Sequence, residues 1–178
     1  MVNVIDVWNK INTSLNVNLK KINPNYKFIK ANLTHNLPPY PYATTNILVA
    51  YAQDKDDFRA TTKDKANIDG TVTTTRLEEP KMTLSFTFYS NDMTEMYEFM
   101  QNTVNALQTT VKQELSDNDI IILRCSVFVD KTSILETEYI YKYGFDVQIR
   151  VMDEVTVSND SVESVEIEST IENVIIDF

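Results

Sequence analysis

The sequence predicts an α+β fold: a mixed, largely antiparallel sheet flanked by two helices, with a long β-hairpin and an acidic C-terminal extension. Three observations carry this. Apolar and polar residues alternate from Tyr139 to Val151 (YIYKYGFDVQIRV), the period of a pleated strand. Two other stretches place apolar residues at helical spacing. Several shorter β-branched runs lie between and after them, and neighbours joined by short turns favour antiparallel pairing.

Taken in order, Val4, Trp8, Ile11, Leu15, Leu19 and Ile22 form one helical stripe over residues 4–22, with Pro24 as its stop. Asn9, Lys10, Asn12, Asn16 and Lys20 cover the other side, and Trp8 reads as a packing residue. Residues 23–43 connect, ending in LPPYPYA, whose prolines fix an extended lead-in. TNILVAYAQ (45–53) is apolar on both faces and reads as a central strand. Residues 54–70 read as a long polar loop. Thr71–Leu77 and Lys81–Tyr89 read as two strands, the second with Met82, Leu84, Phe86 and Phe88 on a buried face.

Asp92, with Glu95 three residues on, resembles a capping box. The helix it opens carries Met93, Met96, Tyr97, Met100, Val104, Leu107 and Val111 toward Leu115. Asp119–Asp130 reads as one strand containing Cys125, a small buried hydrophobe. Residues 131–138 turn the chain into the 139–151 strand, which at ~3.3 Å per residue spans roughly 40 Å. We expect a domain over residues 1–152 and an acidic arm over 153–178. Within that arm Ser164–Glu168 is a further strand candidate.

Charge is unevenly spread. The net charge is −10, yet residues after Arg150 contain eight acids and no lysine or arginine. Such a chain lacks the basic footprint of a nucleic-acid binder. No apolar run approaches the ~20 residues of a membrane helix, and the polar, amphipathic N-terminus lacks the apolar core of a signal peptide. One cysteine rules out an internal disulfide and suits a reducing compartment.

Catalytic signatures are missing. There is no GxSxG, CxxC, HExxH or dinucleotide fingerprint, and two glycines cannot build a phosphate loop. His35, the only histidine, stands without a second histidine or acidic cluster nearby. Adjacent acids such as Asp56/Asp57, Glu78/Glu79 and Asp153/Glu154 read as solvated surface. We therefore expect a structural or interaction protein with no cofactor, no metal and no catalytic residues.

Three segments together, PPYPYATTNILVAY, SFTFYSNDMTEMYEFMQNTVNAL and VFVDKTSILETEYIYKYGFDVQIRV, resemble a group of long-tailed bacteriophage proteins. These are the tail-terminator or neck-terminator (tail completion) proteins. The matching elements are Pro39–Tyr42, Tyr89–Ser90, Asp130–Leu135, Glu138–Tyr139 and Gly144–Val147, within residues 38–152. Where arginines are expected in the closing strand, this chain has Ile140, Tyr141 and Lys142.

The resemblance implies a virion protein of the tail–neck junction, assembled in the host cytoplasm. It implies a ring of copies, commonly a hexamer, at the head-proximal end of the tail tube. There the ring would stop tube polymerisation and join the tail to the neck. The partners implied are further copies, the tail tube protein and the neck or head connector protein, with the sheath as a further neighbour. DNA would pass through without specific binding, and no membrane is involved.

Candidate interface residues are Lys142, Gln148 and Arg150 on the polar face of the long strand. Asp54, Asp56 and Asp57 in the polar loop, and Ile171 and Ile175 in the acidic arm, complete the set. The competing readings are a head–tail connector or stopper, a small metal-dependent enzyme, and an unrelated binding module. If Asp54, Asp56 and Asp57 line an acidic channel that repels DNA, replacing all three with lysine slows genome ejection. Unchanged ejection kinetics would contradict that role.

Overall fold

The computed structural model describes residues 3–31, 37–53, 60–135 and 138–160. In chain order its elements are α1 (Val4–Leu19), β1 (Phe28–Lys30), β2 (Tyr42–Ala52), β3 (Thr61–Ala66), β4 (Thr71–Glu78) and β5 (Lys81–Ser90). There follow α2 (Met93–Gln108), α3 (Thr110–Ser116), β6 (Ile120–Cys125), β7 (Val129–Asp130), β8 (Ser133–Leu135), β9 (Glu138–Val151) and β10 (Asp153–Asp160). The fold is α+β as expected. A seven-stranded sheet runs β1-β2-β5-β9-β6, with β7 and β8 also on β9, and a three-stranded sheet runs β10-β4-β3. Every pairing is antiparallel except β1 with β2.

The long alternating stretch is β9, and it is central. One edge pairs with the whole of β5, from Lys81↔Arg150 to Ser90↔Tyr141. The other edge takes β6, β7 and β8 in succession, the last closing a hairpin at Leu135↔Glu138. The alternation predicted this face by face. Phe145, Val147, Ile149 and Val151 are buried, while Lys142, Asp146, Gln148 and Arg150 stay partly accessible.

The helices pack on the apolar face. Phe86 and Phe88 of β5 stack on Phe145 with centroids 5.5 and 5.6 Å apart. Phe99 of α2 meets Phe88 edge-on at 5.1 Å. Fully burying such side chains stabilises by about 1.5–3 kcal/mol each, so this aromatic cluster is the main adhesive of the domain.

Sequence reading and structure part in definite places. α1 ends at Leu19 rather than Ile22, and Ile22 is exposed. Backbone turn bonds to Asn18 and Leu19 carbonyls close the helix before Pro24 is reached. The supposedly solvated side of α1 is partly buried. Asn16 donates to the Phe28 carbonyl and accepts from the Phe28 N–H, both at 3.0 Å, clamping β1 in what read as a plain connector. Thr45 receives the Trp8 Nε1 proton at 2.8 Å and donates to Asn12 Oδ1 at 2.9 Å. Trp8 is thus a packing residue with a satisfied polar end.

Instead of one second helix there are two, broken at Thr109, whose φ of −126° is not helical. Asp92 caps α2 as predicted, accepting from Thr94 and Glu95 N–H groups at 2.7 and 3.1 Å. The reciprocal half of the box differs. Glu95 takes the Ser90 hydroxyl proton at 2.9 Å, and Ser90 Oγ accepts from the Asp92 N–H. α3 hands over to β6 through Asp119, at φ +60°, a left-handed conformation that aspartate tolerates.

The predicted strand at 119–130 is interrupted. Ser126 donates its N–H to the Asp146 carbonyl at 2.7 Å, and its Oγ accepts from the Asp146 N–H at 2.8 Å. Side-chain bonding replaces the ladder there, and β7 resumes it. The polar loop read over 54–70 contains β3, because TTKDKA is threonine-rich enough to pair with β4. β2 is central only at its start: β1 covers Ala43–Thr45, and Leu48, Val49 and Tyr51 are exposed.

Gly144 leaves no room for a side chain in β9. A Cβ built there falls 2.5 Å from the Phe86 carbonyl oxygen on β5, and that backbone cannot yield without disturbing the aromatic cluster. Gly144→Ala should therefore lower stability by about 1–3 kcal/mol. Urea denaturation followed by Trp8 fluorescence checks this; an unchanged midpoint would contradict the packing described.

Candidate interaction surfaces

Lys142, Gln148 and Arg150 share the face of β9 that points away from the helices, and the structure gives each surroundings of its own. Lys142 Nζ lies over the Tyr89 ring, 5.5 Å from its centroid. Tyr89 stacks on Tyr42 at 4.8 Å, and Tyr42 on Tyr40 at 5.5 Å. Burial pushes the Tyr42 phenol up to about 12, its tyrosine neighbours adding to the shift, so Tyr42 is uncharged near neutrality. Arg150 pairs with Glu79 at 3.2 Å. Two of the three predicted contact residues thus already hold partners within the chain.

Gln148 instead lines a concavity of about 410 Å³ with Thr83, Arg124, Cys125, Ser126, Val127 and Asp146. Its walls are mixed in charge and chemistry. Cys125 is half-buried, and burial pushes its thiol up, away from the thiolate a nucleophile needs. No group of three or more His, Cys, Asp or Glu among the described residues is placed to hold a metal. No described helix is long and apolar enough to cross a membrane. Asp54, Asp56, Asp57, Ile171, Ile175, His35 and the strand candidate at Ser164–Glu168 lie outside the described residues.

The three-stranded sheet is the surface that the sequence least foretold. Each of its strands is the continuation of one in the large sheet: β2 leads to β3, β4 to β5 and β9 to β10, and the order across the sheet is preserved. The acidic extension therefore begins as a paired strand, in register from Asp153↔Glu78 to Asp160↔Thr71. At the root, Val151 N–H donates to the Pro80 carbonyl at 3.0 Å and Tyr51 donates to Glu78 at 2.7 Å. At the far end, Gly70 at φ +80° makes the β3–β4 turn. Asn67 Nδ2 fastens that turn to Thr71 and Thr73 at 2.8 and 2.7 Å.

Among the described side chains of this ribbon only Asp153, at the root, is buried. One face carries Val155, Arg76 and Thr62 in one cross-strand row and Val157, Thr74 and Asp64 in the next. Val155 and Val157 are exposed. The sequence signal for β10 was available: Val155 and Val157 extend a period of two in DEVTVSND, and the acids masked it.

A phage neck terminator protein family matches residues 6–175. That span runs well beyond the 38–152 segment carrying the resemblance and takes in most of the acidic extension, which is a correction. A comparison with curated proteins finds no match. The family is one of structural phage neck proteins, which contact other head and tail proteins in the virion. With 170 residues of the chain inside the match, this protein belongs to the phage neck terminator family.

Proposed function

We propose that copies of this chain form a ring on the head-proximal end of a phage tail tube, end tube growth and present a surface to the neck and head connector. The observation that carries the reading is the β3–β4–β10 ribbon. It extends three strands past the helix-covered part of the sheet, and among its described side chains only Asp153 at the root is buried. A three-stranded sheet without a packed apolar face is marginal alone, and such an element is suited to being completed by a partner. Membership of a structural neck family supports the same direction. The job needs shape and contact surface rather than reactive groups. In this reading Asp54, Asp56 and Asp57 keep the DNA path acidic, and the residues after Asp160 reach a neighbouring copy or the connector.

Purified tail-tube protein polymerising with and without this chain tests the proposal. Tubes should become shorter, with added density at one end in negative stain. Val155→Lys with Val157→Lys, on the exposed ribbon face, should leave folding intact and abolish the effect. Tubes of unaltered length with the parent chain, or capping by the double variant as by the parent, would overturn the reading.

A further inference from the structure

The two lateral margins of this molecule differ in a matched way. On one margin, β2 has no partner strand beyond Thr45 among the described residues and exposes Leu48 (53%), Val49 and Tyr51. On the other, β6 and the segment leading to β7 expose Leu123, Val127 (78%), Phe128 and Val129. Leu123 lies level with Val49, while Val127 and Phe128 sit farther along, level with Asn46 and Thr45. Val49 pairs with Thr83, Thr83 with Gln148, and Gln148 with Arg124, so a single cross-strand row joins Val49 to the neighbour of Leu123. Exposed apolar clusters on two opposite edges of one sheet mark contact sites.

The ribbon extends the same two margins with opposite charge. On the β2 side its edge is β3, TTKDKA, with Lys63 and Lys65 against one acid. On the β6 side its edge is β10, DEVTVSND, with three acids and no base. Neither outer edge is paired among the described residues. Both margins thus offer strand edges, one apolar-then-basic and the other apolar-then-acidic.

In the large sheet strand direction agrees, while β10 and β3, both antiparallel to β4, run the same way and meet through side chains. β2, β5, β9 and β6 alternate in direction, so β6 of one copy set beside β2 of the next is antiparallel to it, the commoner pairing. Opposed copies of the same margin would bring lysines to lysines or acids to acids.

We infer that the occupant of each margin is a second copy of this chain, joined head to tail. The β6–β10 margin of one copy meets the β2–β3 margin of the next, with Leu123 packing on Leu48 and Val49, and Val127 and Phe128 on the stretch of β2 before them. Lys63 and Lys65 face the exposed Glu154 of β10. Such a heterologous contact closes into a ring when the rotation permits. This inference rests on the ring reading above and names its surfaces.

Sedimentation velocity on the chain alone and with preformed tubes of the tail-tube protein tests it, using Leu48→Asp and Leu123→Asp. Both residues are exposed, and unchanged urea midpoints establish folding; Val49→Asp and Val127→Asp replace either variant that fails. Where the parent assembles, each variant alone should be monomeric. An equimolar mixture should give dimers and nothing larger, because one good margin remains on each. Either variant assembling like the parent, or a mixture that stays monomeric, overturns the head-to-tail assignment and leaves the ring standing. A parent chain that is monomeric both alone and with tubes overturns the ring reading and this inference together.

Discussion

β9 is hydrogen-bonded along both edges, and the rest of the molecule follows from that. A strand paired on both sides must satisfy two faces at once. Phe145, Val147, Ile149 and Val151 hold the helices, while Lys142, Gln148 and Arg150 keep the other face polar. β5 is bound to it over ten registered pairs, so the aromatic cluster beneath α2 is fixed in position. At Gly144 any side chain would displace the Phe86 carbonyl. Because β9 continues into β10 after one residue, the same strand also carries the chain out of its core.

The two sheets are held by different physics. The large one is stabilised by burial, with Leu84, Phe86, Phe88 and Phe99 fully enclosed. The small one relies on its ladder, on threonine side chains and on continuity with its neighbour. Thr74 donates to Asp64 at 2.7 Å, and Asn67 fastens the turn. Net hydrogen bonds contribute only about 0.5–1.5 kcal/mol each, which does not replace a core. An element of this kind gains most from a partner, and that links the fold to the proposed role in joining virion parts.

Legibility followed the strength of the periodic signal. β9, β5 and α2 were readable because one face is apolar throughout, and Asp92 announced its helix by cap chemistry. β1 and β3 were not, because three residues clamped by Asn16, and six residues nearly all polar, give no apolar period. β10 was hidden by its acids. The break at Ser126 depends on bonds to Asp146, twenty residues away, which no local pattern encodes. Of the candidate contact residues, Lys142, Gln148 and Arg150 were readable as sharing the polar face of β9. Their engagement with Tyr89 and Glu79 was invisible, because it depends on which strands become neighbours. The exposed apolar margins were missed for the same reason: Leu48 and Val49 look like core until β1 proves to be only three residues long.

In the proposed assembly one strand joins a core-stabilised sheet to a ribbon that partners complete. Hydrogen–deuterium exchange on the free chain and on the chain bound to tail tubes tests this directly. In the free chain, amides of β5 and β9 should exchange only through global unfolding, while those of β3, β4 and β10 exchange orders of magnitude faster. Binding should slow the second set selectively. Equal protection of both sheets in the free chain, or a ribbon unaffected by binding, would contradict the account.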